Sequence, residues 1–292
     1  MKFRIKAYLS SPRGIWCRLK RDVPYWIKGK SYYAESARAL QYERPHVAQC
    51  DRVAIDDYWR NRQIRTSKSV VYTCVTNGYD SISEIASYGY VNPNWDYICF
   101  TDEQTLIDTG RLGIWEIRPL AFAELDNTRN NRWHKIHPHK LLPNYNESIY
   151  LDANIDILSP YLFDQIKSLN QPFILPRHPS RNCIYDEYDN VLAEFMDDPR
   201  RVIRELKLIR RSGMPKSFGL TENNILYRRH NENAIISLME DWWEMIRTYS
   251  RRDQLSLMWL LWKRNANVAA MTLPNARTLT SDFCVFRHTG RK

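Results

Sequence analysis

The chain has 292 residues, 43% hydrophobic and 26% charged, a balance that excludes a disordered or fibrous protein and suits one large domain or a domain with an appendage. Its formal net charge of +10 is unevenly spread, because residues 1–68 hold sixteen Lys and Arg against six Asp and Glu, which leaves 69–292 neutral. Six scattered cysteines without a Cys-x-x-Cys pair exclude a disulfide-stapled mini-domain and make a reducing cytoplasm the default; no signal-type leader or 18-residue apolar run occurs, so nothing is expected to span a membrane.

The basic head runs from Lys2 through Lys20, Arg21, Lys28 and Lys30 to Arg65 and Lys68, interleaved with Trp16, Tyr25, Trp26, Tyr32 and Tyr33. This mixture suits an anionic membrane surface or an acidic polymer, and equally a solvated extension. A domain boundary is placed at 68, giving a 1–68 extension and a 69–292 domain. There the Arg-rich segment yields to Val70-Val71-Tyr72-Thr73-Cys74-Val75, which predicts a buried strand. Thr76 to Asp80 forms a turn and Ser81 to Tyr90 a short helix. Trp95 to Phe100 and Gly113 to Leu120 read as further strands, and Arg129 to Leu142 as one helix. Ser148 to Leu151 is a strand that leads into Asp152-Ala153-Asn154-Ile155-Asp156. Pro172 to Leu175 and Asn224 to Tyr227 complete the strands, and 234–249 and 253–263 are helical in length and spacing. Strands alternating with helices predict an α/β fold with a mostly parallel central sheet.

Polar groups follow the apolar run at alternate positions: Asp152, Asn154 and Asp156. On an extended strand these share one face, neighbours lying roughly 7 Å apart and the outer pair roughly 13 Å. Asp152 and Asn154 are therefore the better divalent-cation pair. Asn is neutral, and a missing unit charge at 4 Å is worth about 4 kcal/mol at an effective dielectric near 20, so affinity should lean on a further ligand or on substrate phosphates. The same residues also suit plain strand-end turn chemistry.

The stretch from Lys135 to Asn154 resembles the helix, Leu-Pro turn and Tyr-Leu-Asp-x-Asp strand of GT-A-fold glycosyltransferases. It is similar above all to glycosyltransferase family eight and to the glycosyltransferase-like family of bacterial polysaccharide clusters and plant mucilage or pectin proteins, where an Asp-Ala-Asn form of the motif occurs. The resemblance covers about 69–290 and leaves the basic head outside. It implies a GT-A-like, Rossmann-like sheet flanked by helices, a nucleoside diphosphate sugar as donor, Mn2+ or Mg2+, and a glycan or lipid-linked acceptor in surface polysaccharide synthesis. Thr76, Asn77, Asp80 and Asp102 would lie beside the nucleotide. Lys135 would face the sugar nucleotide, next to a cationic patch of Arg129, Arg132, His134, His137 and His139. Asp253 and Gln254 resemble the family-eight helix start that approaches the reacting sugar carbon, although Asp253 equally suits an N-cap. Phe286 to Lys292 looks like a shortened His-x-x-Gly-x-x-Lys ending, which makes His288 a third metal ligand and Gly290 a diphosphate contact. In loops after strands, His178, Glu187 and Glu222 are candidates for acceptor contact or proton transfer. Trp242 and Trp243 are read as core.

Two other readings compete: a non-catalytic nucleotide-sugar-binding module that lost metal competence at Asn154, and a nucleic-acid binder using the basic head. The neutral main domain carries no nucleic-acid motif, so no nucleic acid is expected. A cytoplasmic protein, peripheral at the inner face of the membrane, is the expected location.

Overall fold

The computed structural model describes residues 11–28, 52–64, 66–80 and 89–286. The predicted helix over 81–90 falls largely on 81–88, outside the described residues, as do Cys50, His288 and Gly290. By internal contacts the chain forms two compact units, one of Met1–Glu43, Ser180–Thr221 and Glu244–Ala266, the other of Arg44–Pro179, Glu222–Trp243 and Asn267–Lys292.

The second unit holds the strands. They are β1 (Ser69–Val75), β2 (Asp96–Thr101), β3 (Arg111–Leu112), β4 (Trp115–Pro119), β5 (Glu147–Leu151), β6 (Ile155–Ile157), β7 (Phe173–Pro176), β8 (Ile225–Arg228), β9 (Thr272–Leu273) and β10 (Phe283–Val285). Eight form one sheet in the order β3-β4-β2-β1-β5-β8-β7-β9, while β6 and β10 pair separately as an antiparallel ribbon. β4, β2, β1 and β5 run parallel, and β3 and β8 run antiparallel to their neighbours, so the sheet is mixed but mostly parallel. Val70 to Val75 is buried on both faces, which is why the run is continuously apolar rather than alternating. One core joins Val71, Tyr97, Cys99, Trp115, Ile149, Leu151 and Tyr227. Its aromatic members meet edge to face, Tyr97 and Trp115 at 5.6 Å.

Helix α1 is Pro12–Ile27 and α2 is Arg52–Ile64. α2 comes from the basic head yet belongs to the sheet unit, where the Tyr97 amide donates to the Tyr58 hydroxyl at 3.0 Å and the Trp59 indole to the Gly113 carbonyl at 2.8 Å. α3 (Gln104–Thr109) follows β2. The single helix expected over 129–142 is two, α4 (Asn127–Ile136) and α5 (Pro138–Leu141). Pro138 has no amide proton and disfavours a helical residue before it, so the chain breaks at His137. α6 (Tyr161–Leu169) also belongs to this unit, and α9 (Asn233–Thr248) begins in it.

The helical unit contains α1, α7 (Ile184–Ala193), α8 (Pro199–Arg211) and α10 (Gln254–Lys263). α1 lies on α7: Arg13 pairs with Asp189 at 3.6 Å, Arg21 with Glu194, and a Cβ on Gly14 would sit 3.1 Å from the Leu192 carbonyl oxygen. That approach is what a glycine permits. The described cysteines are buried and form no disulfide. No described helix is long and apolar enough to cross a membrane.

Candidate functional site

The chain order places β2 on one side of β1 and β5 on the other, so the strand order reverses between β1 and β5. Open α/β sheets bind ligands outside the carboxyl ends of their strands at such a reversal. Here those ends carry Thr76 and Asn77 after β1 and Asp152 after β5.

After β1 the backbone turns through Asn77 at φ +54° and Gly78 at φ +57°. Left-handed values come readily only to Gly and, less so, to Asn, which explains the Asn-Gly pair. The Asn77 amide donates to both carboxylate oxygens of Asp102 at 2.9 Å, tying the end of β2 to the turn. Thr76 Oγ1 donates to the Asn127 carbonyl at 3.1 Å, and Asn131 Nδ2 to the Cys74 carbonyl at 2.6 Å, so α4 is anchored on the end of β1. Asp80 is half-buried just beyond.

The strand end departs from the straight run expected. β5 stops at Leu151, the Ile155 amide donates to the Asp152 carbonyl at 3.0 Å, and the chain resumes as β6. Asp152, Asn154 and Asp156 therefore do not share one extended face, and the separations estimated for a straight strand do not hold. Asp156 is buried in the ribbon, where Oδ1 accepts the Gly89 amide at 3.1 Å. Asn154 is also buried. Its Nδ2 donates to the Phe286 carbonyl at 2.8 Å and its carbonyl accepts the Phe286 amide at 2.7 Å, so the turn is fastened to the C-terminal segment.

Lys135, on the last turn of α4, is only 1% exposed, and its ammonium lies 3.4 Å from the Asp152 carboxylate, which is 28% exposed. It also sits 5.0 Å from the Tyr150 ring centroid. The buried ammonium thus finds its counter-charge in a carboxylate whose other edge reaches the surface. Beneath it lies an arrangement that sequence spacing missed. The Lys135 carbonyl accepts from the Tyr72 hydroxyl at 2.8 Å and from the Arg228 guanidinium at 2.7 Å, and Arg228 also donates to the Tyr72 oxygen at 2.6 Å. Arg228 is fully buried, and that burial holds its pKa below the usual guanidinium value. Asn224, whose carbonyl accepts the Asp152 amide at 2.8 Å, is a second omission: its side-chain amide is buried with neither polar atom bonded. Such groups are uncommon and call for a reason.

The cationic patch expected around Lys135 is corrected in its histidines. His134 is buried, its Nδ1 donates to the Asn130 carbonyl at 2.8 Å, its Nε2 accepts the Ala121 amide at 2.9 Å, and burial pushes its pKa down to about 4. His137 stacks on Trp133 at 4.8 Å and is likewise driven to about 4 by burial. His139 is lowered by burial against the opposing pull of Glu240, 2.7 Å away. The imidazoles are thus neutral packing groups at pH 7. Arg129 pairs with Asp126 at 2.7 Å and Arg132 bonds Asn131.

In the helical unit, Asp253 is buried ahead of α10 but makes no capping bond, so the N-cap alternative is not realised. Gln254 Nε2 donates to the Thr221 carbonyl at 3.4 Å. Glu187 is buried against Arg181 at 2.7 Å. In the sheet unit, Glu222 accepts from Arg277 and Asn275, each at 2.7 Å, which clamps the 275–277 loop, and His178 is half-buried after β7. Trp242 is fully buried, as a core residue should be.

Among the described residues no three His, Cys, Asp or Glu side chains gather around a common point that would hold a metal. The donors present still fit a hard cation that arrives with its substrate, because Mg2+ in particular is held by one or two protein oxygens plus phosphate oxygens. Asp152 supplies a carboxylate, and Asn154 an amide oxygen whose nitrogen is already committed to Phe286.

A mostly parallel sheet with polar groups at its reversal is the arrangement of an open α/β fold. The chain belongs to the TOD1/MUCI70 glycosyltransferase-like domain family, whose model matches residues 51–275, and this membership supports a glycosyltransferase. No match is found among curated proteins. Solved structures similar to it include the bifunctional glycosyltransferase WbbM (TM-score 0.46, 12% identity), mouse xyloside xylosyltransferase 1 (0.41, 9%) and the glycosyltransferase GlyE of Streptococcus pneumoniae TIGR4 (0.40, 12%). The alignments cover 73%, 72% and 73% of this chain. They span 39% of WbbM, 84% of the xylosyltransferase and 46% of GlyE, so this chain spans less than half the length of two of these three structures.

Proposed function

We propose that this protein transfers a sugar from a nucleoside diphosphate sugar to a hydroxyl of a glycan or lipid-linked acceptor, in the synthesis of a surface polysaccharide. The observation that carries the reading is the buried Lys135 ammonium beside the exposed edge of Asp152, at the point where the strand order reverses. Thr76, Asn77, Asp80 and Asp102 form the nucleotide side of the site, with main-chain polarity fixed by the Asp102 bonds. Lys135 receives negative charge as the diphosphate departs, in a place where water is already excluded. Within the same unit, His178 and Glu222 are the candidates for acceptor contact. Asp152 and Asn154, with His288 and Gly290 from the C-terminal end, would hold Mn2+ or Mg2+ and the diphosphate. The cation, when bound, supplies Lewis-acid neutralisation of the leaving phosphate.

The test is hydrolysis of a panel of nucleotide sugars with and without Mn2+. Asp152→Ala should lose metal-dependent turnover by 100-fold or more, on the order of a removed electrostatic stabiliser, while its far-ultraviolet circular dichroism stays unchanged. Equal turnover in the variant removes Asp152 from the site. One observation favours a second reading, a non-catalytic nucleotide-sugar-binding module: Lys135 already neutralises Asp152, and the second position of the motif is the neutral Asn154. Calorimetric affinity for nucleotide that ignores Mn2+, with no turnover of any donor, would decide for the module.

A further inference from the structure

Helix α1 directs opposite faces to opposite surroundings. Gly14 and Cys17 are buried toward α7, where Cys17 Sγ lies 3.5 Å from Asp189 and Arg21 pairs with Glu194. At about 100° per residue, Trp16, Leu19, Val23, Trp26 and Ile27 fall together on the other side. All five are exposed, Trp16 by 58%, Trp26 by 57% and Ile27 by 80%. A contiguous aromatic and aliphatic stripe facing water marks an interaction surface.

A second helix of the same unit tells what chemistry covers it. α8 buries Val202, Glu205, Leu206 and Ile209, and its exposed side is Arg200, Arg204, Lys207, Arg210 and Arg211. Its only carboxylate is the buried one. The two helices meet at a cleft of about 540 Å3, where Trp16 and Lys20 of α1 face Arg210 and Lys216. Asp186 and Asp189 also line the cleft, but Asp189 is matched by Arg13, so cations remain in excess.

We propose that this face docks on an anionic phospholipid bilayer, with the α1 stripe entering the boundary between headgroups and acyl chains and the α8 cations lying over the phosphates. Charge complementarity selects that partner: an apolar stripe with indole rings, bordered by an all-cationic helix face, is the composition of an interfacial helix on anionic lipid. The contact is independent of the proposed sugar transfer, since no residue in it belongs to the candidate site.

Flotation of the full-length protein with vesicles tests it. The protein should rise with vesicles of phosphatidylcholine mixed with phosphatidylglycerol and stay behind with phosphatidylcholine alone. Trp16→Ser with Trp26→Ser should abolish flotation while leaving circular dichroism and donor hydrolysis unchanged. Lys207→Gln with Arg210→Gln should weaken partition about fivefold for each charge removed, on the order of 1 kcal/mol per cation. Molar salt should weaken binding of the wild type further, as the screening length falls to about 3 Å. Equal binding to both vesicle types overturns the proposal, as does no binding to either. So does a Trp16/Trp26 variant that keeps vesicle binding but converts a dimer to a monomer, which would assign the stripe to a second copy. Tighter binding to a poly(U) oligonucleotide than to the anionic vesicles would assign the cations to nucleic acid and overturn it too.

Discussion

While the ammonium of Lys135 meets Asp152, the carbonyl of the same residue accepts from Tyr72 and Arg228, so two side chains from β1 and β8 hold one backbone position of α4. Burial raises the Tyr72 phenol to about 12 and lowers the Arg228 guanidinium, so at neutral pH the phenol is a donor and the guanidinium a cation kept out of water. Removing one member of such a set leaves the others unpaired, which costs about 1–3 kcal/mol per buried group. Tyr72→Phe takes away a donor to Lys135 and an acceptor for Arg228 and should lower the urea midpoint accordingly. Arg228→Met removes the buried charge itself and leaves the Tyr72 bond to Lys135, so it should cost less than Tyr72→Phe. The reverse order in urea titrations would mean that Arg228, not Tyr72, bears the position of Lys135.

The turn between β1 and the segment after it depends on a carboxylate from the neighbouring strand. Asp102 accepts the Asn77 amide with both oxygens, and Asn77 and Gly78 hold left-handed backbone there. Asp102→Ala should cost at most about 1 kcal/mol of stability, because the bond is exposed. It should lower calorimetric affinity for whichever of UDP or GDP the wild type binds; unchanged affinity would separate the turn from the nucleotide. The strands around this turn were legible in sequence, since 70–75, 95–100 and 148–151 are apolar runs closed by polar turn residues, and a buried parallel strand leaves that mark. The Asp-Ala-Asn triplet was legible as a strand end but not as a turn: the alternation from Asp152 to Asp156 mimics a continuing strand. Only pairing of β6 with β10, more than a hundred residues away, shows that the chain has changed sheets. Arg228 was invisible for the same reason. An arginine at the end of an apolar run reads as solvated until the antiparallel pairing of β8 with β5 brings it beneath α4. The histidines around Lys135 read as charge because burial, which neutralises them, is a property of the packed helix and not of spacing.

Across the whole molecule the buried titrating groups set two opposite pH limbs, one in each unit. In the sheet unit, His134 and His230 are pushed by burial to about 4, and His230 is further held by the Leu142 carbonyl and the Ser148 hydroxyl. Their folded values lie below the unfolded imidazole near 6.5, so the stability they contribute is complete above that pH and is lost as pH falls toward 4. Each should cost roughly 3 kcal/mol by the end of that window. In the helical unit, burial raises Glu205 well above the ordinary carboxyl value, against the opposing help of the Ser250 amide and Tyr188. Its folded value lies above its unfolded one, so the stability present below the unfolded value is lost as pH rises through the folded one. Glu205→Gln keeps an oxygen for the Ser250 amide and cannot ionise. Its urea midpoint should match the wild type near pH 4 and exceed it increasingly toward pH 8, while both proteins share the loss between 6.5 and 4. A variant less stable than wild type at pH 8 would show that the ionised carboxylate is held favourably by its neighbours, and that burial does not govern this position.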